Sequence, residues 1–558
     1  MKKSILRLFI ICAGAICTQA QFLYSQVAIS GAQVNGNFQM DAQYYQVDSA
    51  IGAYAIPEKM LMNSWTNITY VSGDFSAGLR FESYLNPING YYRDLKGAGI
   101  PYWYVGYKTG QFDVTAGNFY EQFGSGMVLR SYEEHNLGYD NAINGIRVKF
   151  NPTQGITLKG IWGKQRYFWQ KSPGITRGID ADIMLNDVIG EMADSKARII
   201  IGGSFVSKYQ DDEEITIGKD TTLLLPLNVG AAAGRVDISY GKFGFGAEYA
   251  QKINDPNATN KFIYRKGQGL IMNVSYSQKG LGMILQAKRL DNMSFKSKRT
   301  ETGNVLDINY LPAITKQHTY TLSALYPYAT QTNGEMGIQA QLNYKIKKDT
   351  RIGGRYGTDV SLNFSQINSI LKDSIESLII DAPGTLGYES SFFAIGEKMY
   401  FREFFLEISR RFSKSYKASF MLIRQDYDPL VNGHDGEPMI HSNILIADMT
   451  YKFTNTQALR GEFQVLQTKQ DEGDWLMGLF EYTVAPKWFF SVADMWNFGN
   501  DSEDHRRHYP LVAAGYNNNA NRIQISYGKQ RAGIVCVGGV CRPVPASNGL
   551  MVTITSSF

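Results

Sequence analysis

Few side chains in this sequence have the spacing of an active site or a metal site. The chain contains no G-x-S-x-G, no G-x-x-x-x-G-K-[ST] and no H-E-x-x-H, the patterns of a nucleophilic serine, a phosphate loop and a catalytic zinc site. His505 and His508 form an H-x-x-H pair, and residues 211–214 (DDEE) offer oxygen ligands for Ca²⁺. Both segments are better explained as solvated charged loops. We therefore predict no metal, no cofactor and no enzymatic activity.

The N-terminus has the pattern of a secretory signal peptide. Lys2, Lys3 and Arg7 precede an apolar stretch at residues 8–17, and Thr18-Gln19-Ala20 offers small residues for cleavage. We predict a signal at 1–20, a short periplasmic segment at 21–33 and one domain at 34–558. Removal of the three basic residues lowers the net charge from +5 to +2, so the charge gives no reason to expect a nucleic-acid partner.

Two cysteines remain in the mature chain. Cys536 and Cys541 are separated by four residues in GIVCVGGVCRP. In an exported protein, such a pair predicts a disulfide across a tight loop. A zinc site would need two further ligands nearby, and the sequence supplies none.

The remaining charged residues occur at alternate positions of amphipathic segments. In residues 75–85, Arg80 and Glu82 alternate with Leu79 and Phe81. A period of two is typical of a strand with one apolar and one polar face. The same pattern places further charged side chains on polar faces: Asp41, Arg147, Lys149, Lys159, Glu248, Lys252, Arg460, Glu462 and Glu481.

These segments recur along the whole mature chain. We predict about 24 strands (roughly 22 to 26), at 34–47, 59–71, 75–87, 100–107, 111–120, 142–150, 155–168, 175–188, 197–209, 227–240, 243–254, 268–278, 281–291, 335–346, 351–366, 399–411, 416–428, 440–453, 457–469, 474–485, 488–499, 508–517, 521–531 and 547–558. Links after even strands are brief, with 189–196 as the clearest exception, and those after odd strands are mostly longer. This layout predicts an all-β fold, a transmembrane antiparallel barrel in the bacterial outer membrane, with both termini on the periplasmic side.

Composition supports this class of protein. Charged residues make up 19% of the chain, and 35 Tyr accompany only 7 Trp, whereas soluble domains average about 25% charged residues. The chain contains no apolar run long enough for a membrane helix. We expect contacts with outer-membrane lipid and lipopolysaccharide. The amphipathic last strand ends in Phe558, which resembles the signal that outer-membrane assembly machinery reads.

One segment resembles a known family. Residues 124–148, GSGMVLRSYEEHNLGYDNAINGIRV, are similar to a signature of a Bacteroidota outer-membrane β-barrel family, porin-like and of uncharacterised function. The resemblance covers most of the mature chain. It implies an outer-membrane location and no reaction. The positions that match the signature are Arg130, Glu133, Glu134, Asp140 and Arg147.

Loops that fold into the lumen are expected as well. Residues 127–129 are apolar (MVL) within the long link 121–141, so we predict that this link turns inward and forms a constriction with Arg130, Glu133 and Glu134 facing the pore. Packing on a neighbouring extracellular loop is the alternative. Links 292–334 and 367–398 are further occluders, and residues 311–329 are rich in aromatic and apolar side chains.

Two functions remain open. A porin-like channel for small polar solutes or nutrients would place its lumen charges along an open path. An accessory or scaffolding barrel of an outer-membrane assembly or secretion complex would instead pair the same charges with inserted loops. A homo-oligomer or a larger outer-membrane complex is compatible with either function.

Overall fold

The computed structural model describes residues 31–217, 221–375, 380–537 and 540–558. Its main element is a sheet of 24 antiparallel strands. The strands are β1 (Ala32–Tyr45), β2 (Met60–Ser72), β3 (Phe75–Asn86), β4 (Gly97–Lys108), β5 (Phe112–Phe119), β6 (Ile143–Phe150), β7 (Ile156–Tyr167), β8 (Gln170–Met184), β9 (Ala197–Tyr209), β10 (Asn228–Tyr240), β11 (Phe243–Lys252), β12 (Gly267–Gln278), β13 (Leu281–Asp291), β14 (Glu335–Ile346), β15 (Thr358–Ile370), β16 (Ile395–Arg411), β17 (Tyr416–Tyr427), β18 (Ile440–Lys452), β19 (Gln457–Gln467), β20 (Trp475–Val484), β21 (Trp488–Asn497), β22 (His508–Asn518), β23 (Asn521–Gln530) and β24 (Ser547–Ser557).

Every strand pairs with its neighbours in the chain, and β24 pairs with β1. In that last pairing, Asn37 is opposite Ser557 and Tyr45 is opposite Gly549. The sheet is therefore a closed barrel without a free edge. The all-β barrel and its count of 24 strands confirm the prediction, which rested on two-residue alternation and link length.

Link lengths divide the barrel into two rims. Links after even strands are mostly short, for example 73–74, 241–242 and 519–520, and we call their side the turn rim. Links after odd strands are mostly long and form the loop rim. Exceptions are the short link 168–169 at the loop rim and the longer links 185–196 and 347–357 at the turn rim.

Two strands differ from their predicted bounds by five residues or more at one end. The strand predicted at 351–366 is β15, Thr358–Ile370, because residues 351–356 form turns and Gly354 and Gly357 adopt positive φ. The strand predicted at 175–188 is β8, Gln170–Met184, and Leu185–Val188 is a short α-helix, α1. A short polar-apolar turn and a strand have similar composition, which explains both errors.

The remaining elements belong to the links. One-turn 3-10 helices occupy Ser49–Ile51, Arg93–Leu95, His135–Leu137, Gly190–Met192, Ala258–Asn260, Pro429–Asn432 and Glu503–His505. Two-stranded ladders join Gln122–Phe123 to Leu129–Arg130, Glu133–Glu134 to Tyr139–Asp140, Thr216–Ile217 to Thr221–Thr222, Asp373–Ser374 to Tyr388–Glu389, and Gly533–Val537 to Val540–Val544. Within the described ranges, no helix is long and apolar enough to span a membrane.

The two faces of the wall differ in exposure as the alternation predicts. On β3, Leu79 and Phe81 are 38% and 44% exposed, whereas Arg80 and Glu82 are 2% and 1% exposed. The apolar core lies inside the barrel in two main clusters, one along β5–β13 that includes Met127 and Phe295, and one along β15–β21 that includes Leu322. Both clusters contain residues of long links, so loops fill part of the lumen.

Candidate functional site

Two long links turn from the loop rim into the lumen. We call residues 120–142 the first lumen loop and residues 292–334 the second lumen loop. In the first, the Ser125 amide donates to Glu248 Oε2 on β11 at 2.7 Å, and Lys159 Nζ on β7 donates to Gln122 O at 3.0 Å. The loop thus reaches the wall several strands from its origin at β5, so it lies within the barrel.

The two lumen loops also pack on each other. The Arg130 amide donates to Ile308 O at 2.9 Å, and the Tyr310 amide donates to Gly126 O at 3.0 Å. Residues 127–129 of the first loop are fully buried, in the same cluster as Ile308. The first loop therefore packs on a neighbouring long loop and inside the barrel at once, so the two predicted arrangements are not exclusive.

An ion-pair cluster fastens the first lumen loop to β3 and β7. Arg80 Nε lies 2.8 Å from Glu82 Oε1, and the Arg80 guanidinium also contacts the carboxylates of Glu133 and Asp140. Arg166 binds Glu82 through two nitrogens, at 2.8 and 2.6 Å, and binds Asp140 at 2.6 Å. Buried pairs of this kind are costly to break by removing one partner. The cluster therefore fixes the loop's position.

Two titratable groups of the first lumen loop respond to this cluster. Burial raises the pKa of Asp140, but the Arg166 and Arg80 guanidiniums more than compensate and hold it below its usual range. Burial, together with the Arg80 charge, lowers the pKa of His135 to about 4. The His135 ring stacks on Trp65 with ring centroids 4.2 Å apart. At neutral pH, Asp140 is therefore charged and His135 is neutral.

Buried lysines hold the first part of the second lumen loop. Each donates from the wall to a main-chain carbonyl of the loop: Lys208 Nζ to Lys296 O at 2.8 Å, Lys252 Nζ to Ser294 O at 2.5 Å and Lys288 Nζ to Pro312 O at 2.6 Å. Carboxylates balance two of these charges, because Asp255 lies 2.6 Å from Lys208 and Glu335 lies 2.6 Å from Lys288. These lysines bind backbone, so they require no particular side chain at the loop positions they contact.

The last part of the second lumen loop is held by the apolar cluster along β15–β21. Leu322 is fully buried there, and its amide donates to Gln464 Oε1 on β19 at 2.8 Å. Tyr320 donates to Asp448 at 3.0 Å, and Arg460 contacts Asp448 and Glu462. His318 Nε2 lies 2.8 Å from Glu403 Oε2 on β16. The loop therefore spans the lumen from β9 to β19.

A cavity of about 890 Å³ lies between the first lumen loop and the turn rim. Its lining includes Lys159, Asp182, Arg235 and Glu248. Arg235 pairs with Asp180 at 2.9 Å and with Asp182 at 2.5 Å. Opposite charges are therefore neutralised in pairs along this wall.

The predicted lumen residues do not form one ring. Arg80, Glu82 and Glu133 share the ion-pair cluster, Glu248 binds the first lumen loop, Lys252 binds the second, and Arg460 and Glu462 lie near Tyr320. Arg147 pairs with Asp113 at 2.5 Å and lies 3.8 Å from Glu121. Arg130 lies over the rings of Tyr132 and Tyr310, and Glu134 accepts from the Asn136 amide at 3.1 Å. A constriction by Arg130, Glu133 and Glu134 remains a prediction.

The cysteines lie in the hairpin Gly533–Val537 and Val540–Val544, where Cys536 is directly opposite Cys541. This register is the one that a disulfide across the hairpin needs, and the disulfide remains a prediction. The signal peptide and most of the predicted periplasmic segment lie outside the described residues.

Sequence reasoning missed Arg166, Lys208, Lys288 and Arg235. All four lie on strands whose two-residue period could have placed them inside. That signal fails where lumen loops pack, because both faces of the wall are apolar there: on β9, outward Phe205 is 48% exposed and inward Val206 is fully buried. Where the inner face is apolar, the sequence pattern does not show which face of the strand lines the lumen.

Comparisons with known proteins give the following. A family model described as a family of unknown function (DUF6029) matches residues 1–558. No curated protein matches. Among solved structures, the siderophore receptor PirA from Pseudomonas aeruginosa is similar at 8% identity and a TM-score of 0.43, over 94% of this chain and 80% of that one. Pseudomonas aeruginosa OccD3 (OpdP) is similar at 10% identity and a TM-score of 0.36, over 95% and 92%. The Usher PapC translocation pore is similar at 9% identity and a TM-score of 0.38, over 94% and 99%.

Proposed function

The chain belongs to a family of unknown function (DUF6029), and from its own geometry we propose a porin-like channel for small polar solutes in a bacterial outer membrane. The membrane part of the proposal is supported by the outer face of the wall. Leu285, Leu445, Val492 and Ile525 point outward and are 52%, 54%, 51% and 48% exposed. Soluble proteins rarely expose a continuous apolar surface of this kind, and a closed barrel satisfies its backbone within lipid.

The observation that carries the channel is the inner wall from β21 through β24 to β1. Many of its inward positions hold uncharged polar side chains that are partly exposed, including Gln524, Ser526 and Thr553. Phe489, Leu511 and the basic Arg522 share this inward face. Asp41 is the acidic group here, bound by Thr553 at 2.7 Å and Gln39 at 3.0 Å. A polar wall beside the lumen loops suits the passage of hydrated solutes.

The proposal includes an orientation, which the short links of the turn rim support. The turn rim and both termini face the periplasm, and the loop rim faces outside, in contact with lipopolysaccharide. The C-terminal residue joins the wall, because Phe558 O accepts from the Gly36 amide at 2.7 Å. Recognition of this strand by the assembly machinery, self-association and a Bacteroidota origin belong to the same proposal.

A scaffolding barrel is the second candidate, and the paired charges of the lumen favour it. Four of the charges expected along a pore, those of Arg80, Lys159, Glu248 and Lys252, instead bind the two lumen loops. Apolar side chains also project from the loop rim, with Leu224 and Phe393 each 84% exposed. A barrel whose lumen is sealed and whose loops present apolar side chains could hold partner proteins.

One experiment separates the two. The full chain is purified from its native membrane in mild detergent, co-purifying proteins are identified, and the isolated barrel is studied in planar bilayers. Stable single-channel conductance of the isolated barrel supports the channel. Absence of conductance together with stoichiometric partner proteins would reject the channel in favour of the scaffold.

A further inference from the structure

A second cavity, of about 580 Å³, opens among the loops on the outer side of the lumen. We call it the outer cavity. The two lumen loops and the links 253–266, 371–394 and 428–439 contribute to its walls. Tyrosines, amides and hydroxyls dominate its lining, among them Tyr132, Tyr139, Tyr310, Thr259, Thr330 and Asn333. Its volume lies within the range of small-molecule sites, about 300–1,000 Å³.

Tyr132 is the centre of an aromatic group on one wall. Its ring centroid lies 4.8 Å from that of Tyr139 and 5.0 Å from that of Tyr310. The Arg130 guanidinium lies over both Tyr132 and Tyr310, at 5.2 and 4.3 Å from the ring centroids. The Tyr132 amide donates to Asn141 Oδ1 at 2.7 Å. The rings are therefore fixed before any ligand binds.

Several polar side-chain atoms of the residues that line the outer cavity have no hydrogen-bond partner among the described residues. They are Tyr132 Oη, Thr259 Oγ1, Thr330 Oγ1 and Asn333 Oδ1. Buried polar groups normally form hydrogen bonds, since leaving them unpaired is costly. The hydroxyls can donate or accept, and the amide oxygen accepts. A ligand that offers hydroxyl groups carries both the donors and the acceptors that these atoms lack.

The outer cavity has little net charge to offer. Lys296 pairs with Asp307 at 2.5 Å and donates to Gly303 O and Val305 O. Lys372 lies 3.6 Å from Asp381 and over the Tyr388 ring. Burial raises the pKa of Tyr132, Tyr139 and Tyr310, so these phenols stay neutral. Among the described residues that line the cavity, neither an anion nor a cation finds an unpaired opposite charge.

We propose that the outer cavity binds an uncharged, polyhydroxylated ligand, a short neutral oligosaccharide. Sugar rings present apolar C–H faces, which pack on tyrosine rings, and hydroxyl edges, which match the unpaired hydroxyls and the amide. Binding of such a ligand does not require that the barrel conducts. As the entry site of a solute, it rests on the proposed channel.

The test uses the full chain in detergent micelles. Maltotriose and cellotriose are the neutral probes, with glucuronate and glucosamine as charged counterparts, and saturation-transfer NMR and calorimetry measure binding. We expect millimolar or tighter binding of a neutral trisaccharide and weaker binding of the charged sugars. No binding of either trisaccharide, or equal binding of the charged sugars, would overturn the proposal.

Variants locate the site. Tyr132→Ala removes a ring and should weaken binding about tenfold or more, whereas Tyr132→Phe removes only the hydroxyl and should weaken it severalfold. Tyr451→Phe, on the exposed outer wall, is the control and should change nothing. Unchanged affinity in a folded Tyr132→Ala or Tyr132→Phe protein would refute the site. Binding without conductance would leave the oligosaccharide site standing and reject the channel.

Discussion

The two parts of the second lumen loop are held in the lumen by different means. Residues 292–312 are bound by wall lysines, which donate to their main-chain carbonyls. Residues 313–334 pack into the apolar cluster along β15–β21 and place tyrosine hydroxyls on carboxylates, as Tyr326 does on Asp471 at 2.9 Å. The first part is thus fastened through its backbone as well as through apolar side chains such as Phe295, and the second mainly through its side chains.

Because the two parts are held differently, they should respond differently to substitutions. An apolar cluster loses its stability gradually as side chains are shortened. Removing one partner of a buried ion pair leaves the other charge unpaired, so a single substitution destabilises the folded loop strongly. The lysine-bound part should therefore be the more sensitive to single substitutions, and the apolar part the more sensitive to replacement as a block.

The largest effect should follow from replacing residues 313–328 with a Gly/Ser linker of equal length. The linker removes Ile314, Leu322 and Leu325 from the apolar cluster, so nothing holds this part against β15–β21. If the barrel conducts, we expect single-channel conductance to rise severalfold. The same exchange at residues 433–438, an exposed loop tip, is the control. Unchanged conductance would show that this part does not occlude the lumen.

The first lumen loop offers a parallel test. Replacing residues 126–134 with a Gly/Ser linker removes the buried residues 127–129 and the Glu133 carboxylate from the ion-pair cluster. We expect a smaller but clear rise in conductance, because the second lumen loop stays in place. A value equal to that of the unmodified protein would rule out Arg130, Glu133 and Glu134 as a constriction.

Lys288→Met should destabilise the lysine-bound part by about 3–5 kcal/mol, because Glu335 is left buried without its partner. Hydrogen–deuterium exchange over residues 305–315 should speed up accordingly. Adding Glu335→Gln removes the unpaired charge and should recover much of the loss. Lys345→Met removes an exposed pair with Asp359 and serves as the control. Slow exchange in the single variant would contradict backbone fastening by Lys288.

Leu322→Ala should cost somewhat less, about 2–4 kcal/mol, since it opens a cavity in a cluster that can partly collapse. Faster exchange should be confined to residues 313–334. Leu285→Ala, on the outward face of β13, is the matched control for the same chemical change. Equal acceleration in residues 292–312 would mean that the two parts are not held independently.

The same contrast explains how much the sequence predicted. The barrel, its strand count and the rim pattern follow from a local signal, two-residue alternation interrupted by turns. The apolar part of the second lumen loop was found because residues 311–329 are too apolar for a solvated loop. The whole link 292–334 was predicted to occlude the lumen, but the wall lysines that bind residues 292–312 were not predicted, since carbonyls accept from lysine whatever side chain they carry. Pairing Lys208 with Asp255, or Arg80 with Asp140, depends on how a link folds back over the sheet, which no local spacing encodes.

The smallest effect should come from His135 in the first lumen loop. Its pKa is lowered to about 4 in the docked loop, against about 6.5 for a free imidazole. Above pH 6.5 the imidazole is neutral both in the loop docked in the lumen and in the released loop, so its titration does not change the free energy of docking. Between pH 6.5 and 4 only the released loop binds the proton, so docking weakens as the pH falls, by up to about 3 kcal/mol. Asp140 stays ionised over this range because its pKa is lowered, so the Arg80 and Arg166 pairs persist.

We therefore expect exchange over residues 131–139 to speed up from pH 6.5 to pH 4, after correction for the intrinsic pH dependence, and any conductance to rise in parallel. His135→Gln keeps a planar polar group beside Trp65 but cannot take up the proton, so its pH dependence should be flat. His441→Gln, at an exposed imidazole that pairs with the buried Asp426, is the control. A pH response that survives in His135→Gln would place the sensing group elsewhere in the ion-pair cluster, with Glu133 as the nearest alternative because its carboxylate is 35% exposed.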